Sequence, residues 1–274
     1  MSGNWDWGRG AGDEGPPPGI DVSKPSTARI YDVWVGGKDN FAVDREAAKF
    51  ISDNAPDAPI AARENRAFLG RAVRYCLDQG IRQFLDIGTG LPTQGNVHEV
   101  ALPLAPDVHV VYVDNDPIVL THARALLEPT GGTTVIQADL RDPESIVGHP
   151  EVCELIDFGR PVAVLLFAVL PFVSDERAQH AVDLFRGLMA PGSHLVVSHT
   201  SGDNDPETAA RARRGWDGTE TQIMLRSRAE VEHFLDGFDL VEPGVVWVPQ
   251  WRPDSEFAAR RGTKWVYAGV GRKP

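Results

Sequence analysis

The stretch Phe84-Leu85-Asp86-Ile87-Gly88-Thr89-Gly90-Leu91-Pro92 decides the fold. An apolar run that ends in a carboxylate and breaks into Gly-x-Gly reads as a strand delivering a ligand-binding loop, because glycine lacks the Cβ that would hold the backbone away from a ligand. A second run, Val110-Val111-Tyr112-Val113, ends in Asp114. An acid at the tip of the neighbouring strand accepts hydrogen bonds from two ribose hydroxyls, so the pair points to a nucleoside-containing cofactor.

Working outward, short apolar strands are expected near 83–88, 109–114, 133–138, 161–169 and 194–199, with helices near 93–103, 117–128 and 175–190 between them. That alternation marks a parallel sheet with crossovers. Beyond the linker Ser201–Pro206 come a helical stretch, a helix at 227–236, and two strands near 239–248 and 264–271 spaced for an antiparallel pair. Upstream, a helix capped by Ser26 or Thr27 runs through Tyr31 and Trp34 to Gly36-Gly37, and a second spans Phe41 to Ile51. A third from Ala58 to Asp78 repeats Phe68/Leu69, Ala72/Val73 and Cys76/Leu77 at four-residue spacing. The expected organisation is a disordered tail over residues 1–20, where Trp5 and Trp7 lack an apolar period around them, and a single domain over 21–274. Within it, 21–80 form a helical cap, 81–200 the cofactor-binding core, and 201–274 the terminal helices and strand pair.

Composition narrows the function classes. With 27 basic against 39 acidic residues the net charge is -12, which repels nucleic acid and anionic membrane. Arg211, Arg213 and Arg214 form the densest basic patch, with Glu207, Asp217 and Glu220 close by in sequence, as on a solvated helix face. No run reaches the ~18 apolar residues of a spanning helix, and the opening residues lack the basic and apolar regions of a secretory signal. Cys76 and Cys153 are too few for a disulfide framework or a Cys-rich metal site, so both are expected as small core residues in a reducing compartment, the cytoplasm.

A third acid, Asp139 in Val135-Ile136-Gln137-Ala138-Asp139-Leu140, falls where the next strand ends. In a doubly wound sheet the carboxyl ends share one edge, so Asp86, Asp114 and Asp139 converge on one ligand. S-adenosylmethionine gives each acid a task. Asp114 takes the ribose diol, Asp139 the adenine amine and Asp86 the methionine ammonium, while Gly88-Thr89-Gly90 passes under the methionine portion, with Asn115, Leu140 and Phe167 beside them. A dinucleotide instead needs Gly-x-Gly-x-x-Gly to seat a pyrophosphate, but Pro92 and Thr93 occupy the end of that pattern and Asp86 would repel the phosphates. Read blandly, Gly-x-Gly is a tight turn, and aspartates such as Asp116 before Pro117 and Asp142 before Pro143 cap helices.

Longer motifs carry a resemblance. Pro25-Ser26-Thr27-Ala28-Arg29-Ile30-Tyr31-Asp32 continuing to Ala48, DIGTGLPTQGNVHEVA at 86–101, VVYVDNDPIVLTHARALL at 110–127 and RSRAEVEHFLDGFDLVEPGVV at 226–246 resemble the actinobacterial S-adenosyl methyltransferase family, formerly described as a domain of unknown function. The resemblance implies a class I methyltransferase fold, with a seven-stranded sheet in the order 3-2-1-4-5-7-6 and the last strand antiparallel. It also implies S-adenosylmethionine binding through Asp86, Gly88, Gly90, Asp114 and Asp139, with S-adenosylhomocysteine as product. Where the family pattern has Leu-His-Phe after the fourth strand, this chain reads Leu170-Pro171-Phe172, removing an imidazole from the expected rim of the site.

Three further groups of residues bear on the chemistry. Gly36-Gly37-Lys38-Asp39-Asn40-Phe41, with Tyr31 before it, reads either as a lid over the cofactor or as a scaffold turn with Gly37 as C′ residue and Asn40 as N-cap. Methyl transfer from a sulfonium is an in-line displacement in which alignment supplies much of the acceleration, and a base helps only when the acceptor carries a proton. His199, ending Val196-Val197-Ser198-His199 on the fifth strand, is the candidate base, against a structural reading at a strand end. Trp216 and Trp251 lie in irregular segments as candidate walls for an apolar small-molecule acceptor, whereas Trp247 and Trp265 fall on the terminal strands as packing residues. The expected function is a methyltransferase acting on a small molecule. The alternative is a non-catalytic protein that binds the same cofactor.

Overall fold

The computed structural model describes residues 21–92, 95–126, 132–217, 219 and 222–274, without the side chains of 122–126. The expected tail, with Trp5 and Trp7, lies outside the described residues, as do Thr93 and Glu220.

Three helices come first, α1 (Thr27–Val35), α2 (Ala42–Asn54) and α3 (Ala58–Asp78). The alternating part follows: β1 (Gln83–Ile87), α4 (Val97–Ala101), β2 (His109–Asp114), α5 (Pro117–Leu126), β3 (Thr133–Gln137), α6 (Pro143–Val147), α7 (Pro150–Leu155), β4 (Ala163–Phe167), α8 (Asp175–Leu188) and β5 (His194–Thr200). The chain closes with α9 (Pro206–Arg213), α10 (Arg228–His233), β6 (Asp239–Leu240), β7 (Val246–Trp247), α11 (Glu256–Arg261) and β8 (Val266–Arg272).

The sheet order is β3-β2-β1-β4-β5-β8-β6, with β7 also paired to β8. β1 to β5 run parallel, and β8 runs antiparallel to β5 from His194 opposite Arg272 to Thr200 opposite Val266. This is the expected order, with its sixth strand present as two short pieces, β6 and β7, along one edge of β8. The ladder breaks between them at Pro243, which has no N–H to donate, and at Gly244, which turns with φ +83°.

Every residue of β1 is buried, as a strand covered on both faces requires. Period-2 alternation sends Phe84, Val110, Tyr112, Leu165 and Val196 to the face under α3. Leu85, Val111, Val113, Leu166 and Val197 go to the opposite face, under α8 and α10. Asp86 has the parity of Phe84, and Asp114 that of Tyr112, so both carboxylates emerge on the α3 face. The sheet divides between β1 and β4, where one crossover direction gives way to the other and opens the crevice that such sheets use for ligands.

Some local expectations change. Gly36, not Gly37, takes the left-handed conformation that ends α1, at φ +84°, and the residue before α2 is Phe41, not Asn40, its N–H donating 2.8 Å to the Asp44 carboxylate. Asp116 does cap α5 through the N–H of Ile118 at 2.9 Å, whereas Asp142 accepts no side-chain capping bond. Cys76 is buried in the core, but Cys153 is exposed on the short helix α7, which carried too little apolar period to announce which way it faces. No helix among the described residues is long and apolar enough to cross a membrane.

Candidate functional site

A cavity of about 560 Å³ opens along the carboxyl ends of the parallel strands, within the size range of small-molecule sites. Its walls include Asp86, Gly88, Thr89, Gly90, Asp114, Asn115, Asp139, Leu140 and Phe167, so every sequence-predicted cofactor residue lies on one surface.

The glycine turn is stitched to β2. The N–H groups of Gly88 and Thr89 donate to the Val113 carbonyl at 2.8 and 3.3 Å, and the Thr89 hydroxyl donates to the Asp86 carbonyl at 2.9 Å. Gly88 sits at φ +74°, and a Cβ there would come within 2.5 Å of the Val169 side chain. Gly90, at φ +67°, has nothing within 4 Å of where a Cβ would stand. A side chain at residue 90 would therefore strain the backbone and project into open space.

Each acid is held differently. Asp114 accepts the Gly90 N–H at 2.8 Å and the Asp116 N–H at 2.9 Å, leaving further lone pairs on both oxygens. Burial raises its pKa to about 6 against the pull of those two amides. Asp86 is 3% exposed. Burial raises its pKa to about 7, partly opposed by the Arg66 charge, with Asp114 adding to the rise. A buried acid of this kind at a cavity wall fits a ligand that brings a positive charge. Asp139 is half-exposed; burial pushes its pKa up, but hydrogen bonds from Arg141 and Asn115 outweigh that and bring it to about 2.

The other end of the cavity is aromatic. Trp216 lies edge-on to Trp34 with centroids 5.9 Å apart and tilts against Phe172 at 5.3 Å, and all three rings face the cavity beside Trp265. These side chains come from α1, the turn Leu170–Phe172, the turn after α9 and the residue before β8. Ala168, at φ +51°, throws the chain from β4 into that turn. Its N–H donates to both the carbonyl and the hydroxyl of Ser198, at 3.1 and 3.0 Å, which holds the left-handed conformation. Arg213, at the end of α9, adds a cation to this wall.

Several expected site residues lie elsewhere. His199 has the right strand end but the wrong parity; it points to the α8 face, stacks on Phe234 at 6.3 Å and is 0% exposed. Its Nε2 lies 2.7 Å from Arg226 Nη1 and its Nδ1 2.7 Å from the Thr200 carbonyl. Guanidinium cannot accept and a carbonyl cannot donate, so the ring is neutral with the proton on Nδ1. Burial, with Arg226 adding to it, lowers the pKa to about 3. A histidine tied at both nitrogens and absent from the cavity wall is no base for a ligand there. Its neighbour Thr200 has the other parity and does face the cavity.

Trp251 is a core residue rather than a cavity wall, 0% exposed and edge-on to Phe68 and Tyr75 at 5.2 and 5.8 Å. Trp265, expected to pack, faces the cavity, while Trp247 stacks on Tyr267 as expected. Pro171 is buried in the turn and does not line the cavity.

Of the expected lid residues, Tyr31 lines the cavity, with its hydroxyl donating to the Ala62 carbonyl at 2.8 Å. Gly37, Lys38, Asn40 and Phe41 do not line it. Their turn is organised by the buried Asp32, which accepts from the Asp39 N–H and Asn40 Nδ2 at 3.1 and 2.8 Å. A Cβ on Gly37 would overlap that carboxylate at 1.7 Å, so glycine serves close packing there. Phe41 packs against Leu91, Ile118 and Val119. The segment that does cover the acids is 21–29. Ser26 donates 3.0 Å to Asp116, and the buried Arg29–Asp44 pair at 2.8 Å anchors it.

Relatives fit this geometry. A family model described as S-adenosyl methyltransferase matches residues 13–274. A candidate methyltransferase from Thermobifida fusca has a TM-score of 0.89 at 44% identity, over 94% of this chain and 98% of that one. A DUF574 family protein from Streptomyces avermitilis has a TM-score of 0.88 at 42% identity, over 93% and 99%. A candidate S-adenosyl-L-methionine-dependent methyltransferase of Mycobacterium tuberculosis is 27% identical over 161 residues, covering 55% of this chain and 47% of its own. The chain thus spans about half the length of the curated relatives it matches. On sequence match and on structure, the chain belongs to the S-adenosyl methyltransferase family and has its α/β methyltransferase fold.

Proposed function

We propose that this chain binds S-adenosylmethionine in the acid half of the cavity and transfers its methyl group to a small molecule held in the aromatic half. The observation that carries this reading is the meeting of Asp86, Asp114 and Asp139 with the Gly88–Gly90 turn on one wall of a single cavity. Open space above Gly90 and the high pKa of Asp86 support the fit: the first admits a ligand against bare backbone, and the second is relieved by an ammonium. Asp114 would accept from the ribose diol through its remaining lone pairs. Asp139, kept ionised by Arg141, would accept from the adenine amine with Leu140 beside the ring, and Arg66 stands near Asp86 for a carboxylate.

When bound, the donor supplies an electrophilic methyl carbon on a sulfonium. The protein's part is alignment and exclusion of water, which the apolar walls and the segment 21–29 provide. We further take residues 21–274 as one functional unit, and the net charge of -12 on the whole chain disfavours a nucleic-acid substrate. Its free cysteines suit the cytoplasm.

Calorimetric titration with S-adenosylhomocysteine tests binding, and release of S-adenosylhomocysteine from S-adenosylmethionine across a metabolite panel tests turnover. Absence of binding sinks the reading. Binding without any turnover supports the non-catalytic alternative.

A further inference from the structure

The aromatic half of the cavity is as informative for what it lacks as for what it holds. Among the described residues, no histidine, glutamate or cysteine lines the cavity, and all the aspartates that do lie at the N-terminal segment or the ends of β1 to β3. The groups facing the aromatic half can be taken element by element. α1 gives Tyr31 and Trp34, and α2 gives Ile51, with Ala55 just after it. α3 gives Asn65, an amide that donates 3.3 Å to the Tyr31 hydroxyl and is no base. The turn after β4 gives Phe172, β5 gives Thr200, and α9 gives Arg213. Arg66 of α3 stands at the border with the acids. Tyr31 is no base, since its hydroxyl already donates to Ala62 and burial raises its pKa. Arg213 is cationic throughout the working range.

We propose that the acceptor is a small aromatic ring compound carrying an acidic hydroxyl, a phenol, which enters the transfer already ionised as the phenolate. This rests on the methyl-donor reading above. Trp216 meets Trp34 at 5.9 Å and Phe172 at 5.3 Å at this end, and flat apolar walls select a flat apolar ligand. A cavity of about 560 Å³ that donor and acceptor share is of small-molecule size. The sole described cation on this wall, Arg213, favours an anionic ring and disfavours an ammonium.

The chemistry balances without a base. A lone pair on the phenolate oxygen forms the new O–C bond, and the electron pair of the breaking C–S bond stays on sulfur. A cation and an anion become two neutral molecules. The proton has already gone to solvent, so none moves at the site.

The experiment uses the full chain saturated with S-adenosylhomocysteine and titrated with 4-nitrophenol, whose phenolate absorbs in the visible, and with 2-naphthol, which reports through tryptophan quenching. Saturable binding is expected, with the bound nitrophenol pKa lowered by about half a unit, the scale of one partly exposed charge. Arg213→Gln, a surface change that leaves the core intact, should abolish that shift, and Trp216→Phe should weaken naphthol about three- to tenfold. With S-adenosylmethionine, a phenol series should release S-adenosylhomocysteine with pH profiles that follow each phenol's own pKa.

Failure to bind either probe in protein that binds S-adenosylhomocysteine overturns the proposal and leaves the donor reading intact. Displacement of the probes by S-adenosylhomocysteine, equal turnover of alkyl alcohols, amines or fatty acids, or one pH profile shared by all phenols also overturns it. Loss of S-adenosylhomocysteine binding itself would instead strike the donor reading.

Discussion

The acid half and the aromatic half of the cavity share one surface and are built by different kinds of sequence. The acids arrive one per strand, each at the end of a short apolar run, at the neighbouring positions β1, β2 and β3. The rings arrive from α1, a turn after β4, a turn after α9 and the residue before β8, segments spread from Trp34 to Trp265. The first half is built on the carboxyl edge of the sheet and the second on helix and turn. A ligand common to a whole superfamily suits the one, and an acceptor that varies from enzyme to enzyme suits the other.

The sharpest way to break this contrast is Asp114→Ala. Two charge-assisted hydrogen bonds to the ribose at about 1.5–3 kcal/mol each imply at least about a hundredfold loss of S-adenosylhomocysteine affinity by calorimetry. Naphthol affinity should stay within about twofold. Equal losses for both ligands would erase the division.

The two tryptophans named from sequence sharpen it next. Trp251→Ala should cost about 3–5 kcal/mol of stability in denaturant unfolding, because it removes a fully buried ring from the core under α3. It should leave both affinities near wild type. Trp216→Ala should cut naphthol binding at least about tenfold while S-adenosylhomocysteine still binds.

A third test titrates the acid half alone. Asp86 has a folded pKa of about 7, above the unfolded value of 3.8, so its contribution to stability is fully present below the unfolded pKa and is lost as pH rises through about 7. Asp114, at about 6, acts in the same direction. Thermal stability without ligand should fall between about pH 4 and 7, and Asp86→Asn should flatten that slope. Affinity for the ammonium of S-adenosylhomocysteine has the opposite sign; it should rise with pH through about 7 as Asp86 ionises, a rise the variant should lose.

How much was legible follows the same division. The sheet order, the three acids and the glycine turn could be read because strand, acid and glycine sit within a few consecutive residues. Parity could not be read. His199 reaches the correct edge, but a strand's side chains alternate, and only the pairing of Leu165 with Val196 and of Phe167 with Ser198 fixes which face each residue meets. Trp216 and Trp251 looked alike in irregular sequence. Contacts made across the whole chain send one to the cavity and the other between Phe68 and Tyr75.

The smallest effect belongs to His199→Gln. Arg226 keeps the carbonyls of Leu170 and Val173 and the carboxylate of Asp175 as acceptors, so losing one of its partners should cost about 1 kcal/mol of stability. The pH profile of turnover should not move, since the ring is neutral and off the wall. A profile that loses a limb in this variant would restore His199 as a base.

The most direct test of the two-half cavity is a crystal structure with S-adenosylhomocysteine bound. The account predicts the ribose against Asp114, the adenine beside Asp139 and Leu140, the ammonium toward Asp86, and the sulfur facing the space bounded by Phe172 and Trp216. A ligand lodged among the rings, or a sulfur turned away from them toward Asp139, would contradict it.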